Sequence, residues 1–90
     1  MTFDSIGEMN RYKTLMILQA SGKISNLERQ KTFKFELNGV LICKYTADFT
    51  YTEAERQIVE DYKGFQTPEF KIKNKMMKAF YGIELKLTGK

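Results

Sequence analysis

The sequence contains no histidine and no tryptophan, and it has one cysteine and one proline among 90 residues. The absence of histidine excludes catalytic triads with an imidazole base and zinc sites with histidine ligands. The single cysteine, Cys43, excludes an intrachain disulfide and indicates a reducing compartment. Because Cys43 ends the apolar run 40–43, we interpret it as a buried structural thiol rather than a nucleophile.

Long apolar runs are also missing, since no stretch approaches the roughly 18 residues of a membrane-spanning helix. No signal peptide is recognisable, so the sequence predicts a cytoplasmic protein with no membrane partner. Ninety residues make a single domain, 1–90, near the lower limit for burying a stable core alone. A homodimer or a bound partner would enlarge such a core.

The formal charge of +4 is unevenly distributed along the chain. Residues 1–64 hold nine basic and nine acidic side chains, whereas residues 65–90 hold six Lys and two Glu. A basic C-terminal third suits a polyanion such as DNA. The alternative is a solvated lysine face that serves solubility, and charge alone does not separate the two.

Apolar periodicity predicts the order helix, three strands, helix, strand. A strand–helix–strand ending implies a crossover connection, so we expect an α/β fold with a mixed sheet flanked by two helices. The predicted elements are a helix over 5–21, strands over 32–37, 40–51 and 57–63, a helix from Pro68 to Gly82, and a strand over 83–87.

Local signals support these bounds. Ser5 is a suitable N-cap, and Pro68 suits the first turn of a helix. Asn38-Gly39 is a strong hairpin signal, and Gly64 is expected to end the third strand. Residues 23–31 read as a mixed connector, and residues 52–56 read as a turn.

Two aspartates and a lysine form the sharpest candidate site. Asp61 and Lys63 lie two residues apart in a predicted strand and therefore share a face, whereas Glu60 and Tyr62 face away as packing and surface residues. If the second and third strands are neighbours, Asp48 can approach Asp61. Carboxylates beside a lysine suit Mg²⁺, a water molecule and a phosphodiester. The alternative is a group of exposed sheet charges joined by a salt bridge.

Asp48 breaks a local rule, because aspartate is disfavoured in strands. It interrupts a strand in which aromatic and small residues are expected to share one face. Polar residues that break local rules are expected at functional sites. The alternating residues of this strand are Tyr45, Ala47, Phe49 and Tyr51.

Glu8 in the first helix has two interpretations. Ser5 and Glu8 have the spacing of a capping box, in which the glutamate side chain returns to the N-cap amide. The functional alternative is a further metal carboxylate that the helix projects over the sheet. The residues alone leave both open.

Lysines of the second helix are candidates for phosphate contacts. Lys71, Lys75 and Lys78 form one stripe by helical spacing, whereas Lys73 lies off this stripe and is expected to be solvated. Aromatic side chains nearby suit either base stacking or the core; these are Phe65, Phe70 and Tyr81. Gln30, in the predicted connector, is a weak candidate for positioning substrate or water.

An ordered set of short motifs resembles short phage-encoded proteins of the PD-(D/E)XK nuclease superfamily. The similarity covers nearly the whole chain, and its specificity comes from the order of the motifs. The motifs are Phe3-Asp4-Ser5-x-x-Glu8-x-x-Arg11-Tyr12, Leu27-Glu28-Arg29-Gln30, Tyr45-x-Ala47-Asp48-Phe49-x-Tyr51, Val59-Glu60-Asp61-x-Lys63-Gly64 and Lys75-x-Met77-x-x-x-Tyr81-Gly82-Ile83.

The resemblance implies a restriction-endonuclease-like core and a catalytic set. The acidic strand residue of the superfamily falls on Asp48, and its (D/E)-x-K motif falls on Asp61 and Lys63. The first-helix glutamate that is a metal ligand in related phage junction-resolving and transposon-end endonucleases falls on Glu8. Asp61 stands where glutamate is more frequent, which shortens the reach of the carboxylate.

The resulting expectation is a Mg²⁺- or Mn²⁺-dependent DNA endonuclease, in the host-cell cytoplasm if phage-encoded, acting on branched or recombination and replication intermediates. Glu8, Asp48 and Asp61 would bind metal, and Lys63 would orient the attacking water. A junction-cleaving enzyme needs two active sites and hence a homodimer. One alternative is a catalytically inert DNA-binding module with the same fold. Another is a phage accessory interaction protein.

Overall fold

The computed structural model describes Phe3, residues 5–63 and residues 65–89. Asp4 of the resembling motifs and the strand stop expected at Gly64 lie outside these residues. The elements, in chain order, are α1 (Ile6–Ala20), β1 (Ser25–Leu37), β2 (Val40–Glu53), β3 (Arg56–Tyr62), α2 (Pro68–Tyr81) and β4 (Lys86–Thr88).

The described strands form one mixed sheet in the order β1-β2-β3-β4. β1 pairs antiparallel with β2, β2 pairs antiparallel with β3, and β3 pairs parallel with β4. The parallel pair needs a crossover connection, which α2 supplies. The predicted α/β class and the mixed sheet are therefore confirmed.

The helix and hairpin ends follow from local chemistry. The Ser5 hydroxyl accepts a hydrogen bond of 3.1 Å from the Glu8 amide at the start of α1. The Thr67 hydroxyl does the same for the Phe70 amide at the start of α2, and Gly82 (φ 70°) ends α2 in the left-handed conformation. Asn38 and Gly39 both have positive φ, as a two-residue hairpin turn requires.

The first strand is longer than the sequence predicts. β1 begins at Ser25, so the expectation of a connector over 23–31 was wrong. Asn26 and Gln30 each have φ 57°, and these irregular positions disturb the alternation that identifies a strand. The second hairpin turns at Ala54 and Glu55, both with positive φ, and β4 is the shorter segment Lys86–Thr88.

Two apolar clusters cover opposite faces of the sheet. Tyr51 pairs with Ile58, and both belong to the cluster that contains Leu15 of α1. Val59, the next residue along β3, belongs to the cluster that contains Met77 of α2. Because adjacent residues of a strand point to opposite faces, the two helices flank the sheet as expected.

The alternation of β2 changes at Asp48. Ala47 packs in the α2 cluster and Phe49 in the α1 cluster, although regular pleating would place both on one face. The expectation that the alternating residues of β2 share a face was therefore wrong. On β1, Gln30 lies between the residues that pair with Ala47 and Phe49, and its positive φ marks the same distortion. Asp48 thus occupies an irregular point near the centre of the sheet.

Candidate active site

Asp48 and Asp61 meet where the pairing of β2 with β3 ends. The last paired residues are Phe49 and Glu60. Beyond them, the Asp48 amide donates a 2.8 Å hydrogen bond to Oδ1 of Asp61, and the Tyr62 amide donates a 2.9 Å bond to Oδ2 of Asp48. The two carboxylates therefore accept backbone hydrogen bonds that a regular ladder would direct to carbonyl groups.

Asp61 is the buried member of the pair, with 1% of its surface exposed. The Tyr45 hydroxyl donates a hydrogen bond to Oδ2 of Asp61. Burial, together with this bond, raises the pKa of Tyr45 well above its usual value, so the phenol stays protonated as a donor. Lys63 Nζ lies 4.0 Å from the same Oδ2. A fixed donor and a cation thus hold the Asp61 carboxylate in one orientation.

Glu8 brings a third carboxylate to this region from α1. Its side chain is 3% exposed, and its negative charge raises the pKa of Asp48. The Glu8 amide is capped by Ser5, which shows the backbone half of the predicted capping box. We call Glu8, Asp48 and Asp61 the acidic cluster.

The pKa of Asp48 is raised from 3.8 to about 6. Burial is the largest cause, and the charges of Asp61 and Glu8 add to it. The Tyr62 amide and Lys63 act in the opposite direction but do not outweigh them. Negative charge at this point is therefore incompletely balanced by the protein itself, which is a property of functional sites.

The donor set of the acidic cluster suits a hard divalent cation. Mg²⁺ and Mn²⁺ prefer carboxylate oxygens, and a carboxylate oxygen that accepts one hydrogen bond keeps a second lone pair. Across residues 5–63 and 65–89, however, no three His, Cys, Asp or Glu side chains are already arranged to hold a metal. Coordination of one cation by all three carboxylates would therefore require these side chains to move closer together, whereas Mg²⁺ held by one or two carboxylates keeps several water ligands.

A glycine permits the close approach of α1 to this site. The Tyr62 ring lies against Gly7, and a Cβ at that position would overlap the Tyr62 hydroxyl. Tyr62 follows Asp61 in the chain, and Gly7 precedes Glu8. The contact between these two residues therefore sets the distance between the third carboxylate and the strand that carries Asp61.

Glu60 corrects one expectation. It was expected at the surface, yet it is fully buried. Arg11 of α1 binds it with two hydrogen bonds, of 2.6 and 2.9 Å, and the Tyr51 and Thr88 hydroxyls donate to it as well. Burial alone would raise the pKa of Glu60, but the bonds from Arg11 and Tyr51 outweigh it and lower the pKa. Sequence reasoning missed this pair because its residues are far apart in the chain.

The lysine stripe of α2 is exposed but divided. Lys71 lines a pocket together with Lys63, whereas Lys75 and Lys78 line a separate surface depression. Lys78 Nζ lies 3.9 Å from Glu84, an exposed ion pair that contributes little to stability.

Lys73 lies closer to the acidic cluster than its position off the stripe suggested. Its side chain is 28% exposed and lies 3.9 Å from Glu69, and it lines a groove with Lys63 and Tyr45. The Lys73 side chain is therefore partly buried rather than fully exposed. The spacing of Glu69 and Lys73, four residues apart, was the signal for this pair.

The three candidate aromatic side chains differ in their exposure and contacts. Phe70 is 6% exposed and belongs to the core. Tyr81 packs edge-on against Phe33 and donates a 2.6 Å hydrogen bond to the Lys34 carbonyl. Phe65 is 77% exposed. Gln30 is exposed in β1, at the distortion opposite Asp48.

The fold and the acidic cluster define a small mixed α/β protein with a charged site at the centre of its sheet. Its residues 1–89 match a family described as a protein of unknown function (DUF1064), and the chain belongs to this family. Comparison with curated proteins and with solved structures gave no match. No helix in the part of the chain that the structure describes is long and apolar enough to cross a membrane.

Proposed function

We propose that this protein is a Mg²⁺- or Mn²⁺-dependent DNA endonuclease with a restriction-endonuclease-like fold. The observation that carries the proposal is the convergence of Asp48 and Asp61 at the end of the β2–β3 ladder, with Lys63 Nζ 4.0 Å from Asp61. The resemblance to PD-(D/E)XK nucleases assigns these same residues, and the element order is the one that it implies.

Each residue of the site has a role that its surroundings support. Asp61 is oriented by Tyr45 and by the Asp48 amide, so its own carboxylate is held in place. Asp48 and Glu8 would join it as metal ligands. A bound divalent cation would supply Lewis-acid stabilisation of charge on the phosphate. Lys63, partly exposed beside Asp61, would orient the attacking water and offset developing negative charge.

Phosphate contacts are proposed for Lys71, Lys75 and Lys78. All three are exposed on α2, and Lys71 shares a pocket with Lys63. Contacts of this kind place the backbone of DNA without reading its sequence. They predict binding that weakens as salt is raised.

The test is cleavage of a small DNA panel with Mg²⁺ or Mn²⁺. The panel contains a four-way junction, a flap, a single strand and a linear duplex. Wild type is compared with Asp61→Asn and Lys63→Ala, and Lys44→Ala is the control because Lys44 is an exposed strand lysine outside the site. Thermal melting of each variant without metal separates lost chemistry from lost folding.

We expect metal-dependent cleavage by wild type and by the Lys44 variant, and no cleavage by the two site variants. Cleavage that persists in a folded Asp61→Asn protein would refute the assignment. Salt-sensitive DNA binding without any cleavage would favour the inert DNA-binding module. This module is the second candidate because no three side chains among residues 5–63 and 65–89 are already arranged to hold a metal. Neither binding nor cleavage would favour the accessory interaction protein.

A further inference from the structure

An open pocket of about 560 Å³ adjoins the candidate active site. Lys63 belongs to both, because its ammonium group approaches Asp61 and its side chain lines the pocket. Further lining residues come from the segment after β3, from α2 and from β4; they include Phe65, Gln66, Lys71 and Thr88. We call this the Phe65 pocket. Its volume falls in the range of small-molecule binding sites.

Phe65 is the most exposed large apolar side chain in the described residues, at 77%. The other aromatic candidates are used elsewhere, since Phe70 is in the core and Tyr81 packs on Phe33 and bonds to Lys34. Single exposed apolar side chains are common on protein surfaces, but this ring lines a polar pocket beside the candidate active site. Phe65 therefore offers an aromatic face to a ligand.

The charge of the pocket limits the class of ligand. Among the residues that the structure describes, the charged side chains lining the pocket are Lys63 and Lys71, and none of the lining side chains is acidic. Gln66 and Thr88 add neutral hydrogen-bonding groups. A ring face beside two cations suits a nucleotide, which combines a flat base with a negative phosphate.

We propose that the Phe65 pocket binds one unpaired nucleotide of single-stranded DNA, with the base stacked on Phe65 and its phosphate held by Lys71. The inference rests on the proposed nuclease function and deepens it by naming the substrate class. In a duplex, both faces of a base are covered by its neighbours, so Phe65 reaches a base face only where the strand is unpaired. The preferred substrates are then DNA molecules with a single-stranded segment at the cleavage point, such as flaps.

The first test measures binding of a fluorescent oligothymidylate by anisotropy in EDTA, where no metal-dependent cleavage occurs. An abasic oligomer of the same length keeps the phosphates and lacks the bases. Because stacking of one base on an aromatic ring contributes about 5- to 150-fold to affinity, we expect Phe65→Ala to weaken oligothymidylate binding by that factor. Phe65→Tyr keeps the ring and should bind like wild type.

Two controls isolate the stacking contact. Ile17→Ala removes another exposed apolar side chain, 69% exposed on α1, and should leave affinity unchanged. Lys71→Ala should weaken both oligomers and lower the slope of log affinity against log salt by about 0.7. Wild type and Phe65→Ala should bind the abasic oligomer with equal affinity, because that oligomer has no base to stack on Phe65.

The results distinguish this inference from the nuclease itself. Equal binding of the two oligomers by wild type, or unchanged binding and flap cleavage by Phe65→Ala, would overturn the base pocket and leave the nuclease standing. Phe65-dependent oligomer binding without any cleavage would support the pocket and overturn the nuclease. Self-association that Phe65→Ala abolishes, measured by sedimentation without DNA, would reassign the ring to a protein contact and overturn the inference.

Discussion

Asp48→Asn is expected to stabilise the metal-free protein and to abolish the proposed cleavage activity. In wild type, burial of Asp48 and the negative charges of Asp61 and Glu8 raise the pKa of Asp48 to about 6. Deprotonation at neutral pH therefore costs folding free energy. Asparagine has the same shape, can still accept the bond from the Tyr62 amide and carries no charge.

The magnitude follows from the displacement of the pKa. A rise from 3.8 to about 6 corresponds to a ceiling of about 3 kcal/mol at 1.36 kcal/mol per unit. Asp48 is partly exposed, so solvent screening reduces the expected gain to about 1–2 kcal/mol. In a domain of this size, a gain of this kind raises the melting temperature by about 5 °C or more.

The pH dependence identifies the cause. For a carboxyl group with a raised pKa, the folded state binds more protons than the unfolded state between about pH 4 and pH 6, so wild-type stability falls as the pH rises through this window. The advantage of Asp48→Asn should therefore be full near pH 8 and vanish near pH 4. Chemical denaturation in EDTA at both pH values measures it.

The control for this experiment is Glu36→Gln, which neutralises an exposed carboxylate on β1. Its stability should stay within about 0.5 kcal/mol of wild type at both pH values. An Asp48→Asn protein that is less stable than wild type at pH 8 would refute the reasoning. A gain of equal size at pH 4 and pH 8 would show that the effect is not electrostatic.

Three further predictions concern the surroundings of the site. Addition of about 10 mM Mg²⁺ should raise the free energy of unfolding at pH 8 by about 1.4 kcal/mol if the Kd is about 1 mM. The gain should be small at pH 5, where Asp48 is protonated. An equal gain in the Asp48→Asn variant would contradict this prediction. Arg11→Met should cost about 3–5 kcal/mol in urea unfolding at pH 7, because it leaves Glu60 buried without its cation. The lowered pKa of Glu60 means that the ion pair stops contributing to stability as the pH falls below about 4.5. The loss of stability caused by Arg11→Met should therefore shrink at such pH values. A loss that does not depend on pH would refute the ion-pair explanation. Gly7→Ala should lower the free energy of unfolding by about 1–3 kcal/mol through overlap with Tyr62. In a double-mutant cycle, the added substitution Tyr62→Ala should remove most of this cost. Additive costs of the two substitutions would refute the contact.

Much of the fold was predictable because its signals are local. Ser5, Asn38-Gly39, Pro68 and Gly82 each act within a few residues, through a cap, a turn or a fixed dihedral angle. The element order followed from these signals and from apolar spacing. The start of β1 was missed because Asn26 and Gln30 adopt positive φ and have no partner in the register with β2.

For the candidate active site too, local spacing was predictable from the sequence, whereas contacts between distant residues were not. The sequence by itself predicted that Asp61 and Lys63 share one face of a strand, since side chains alternate with a period of two residues. The approach of Asp48 depended on the pairing of β2 with β3, which the structure shows. Only the tertiary structure decided that β2 changes face at Asp48, so that backbone amides bind both aspartates. The structure alone also decided that Glu60 is buried against Arg11 and that Phe65 stays exposed beside Lys71. These outcomes depend on residues far apart in the chain, whose burial and charge balance exist only after the sheet and helices have packed together.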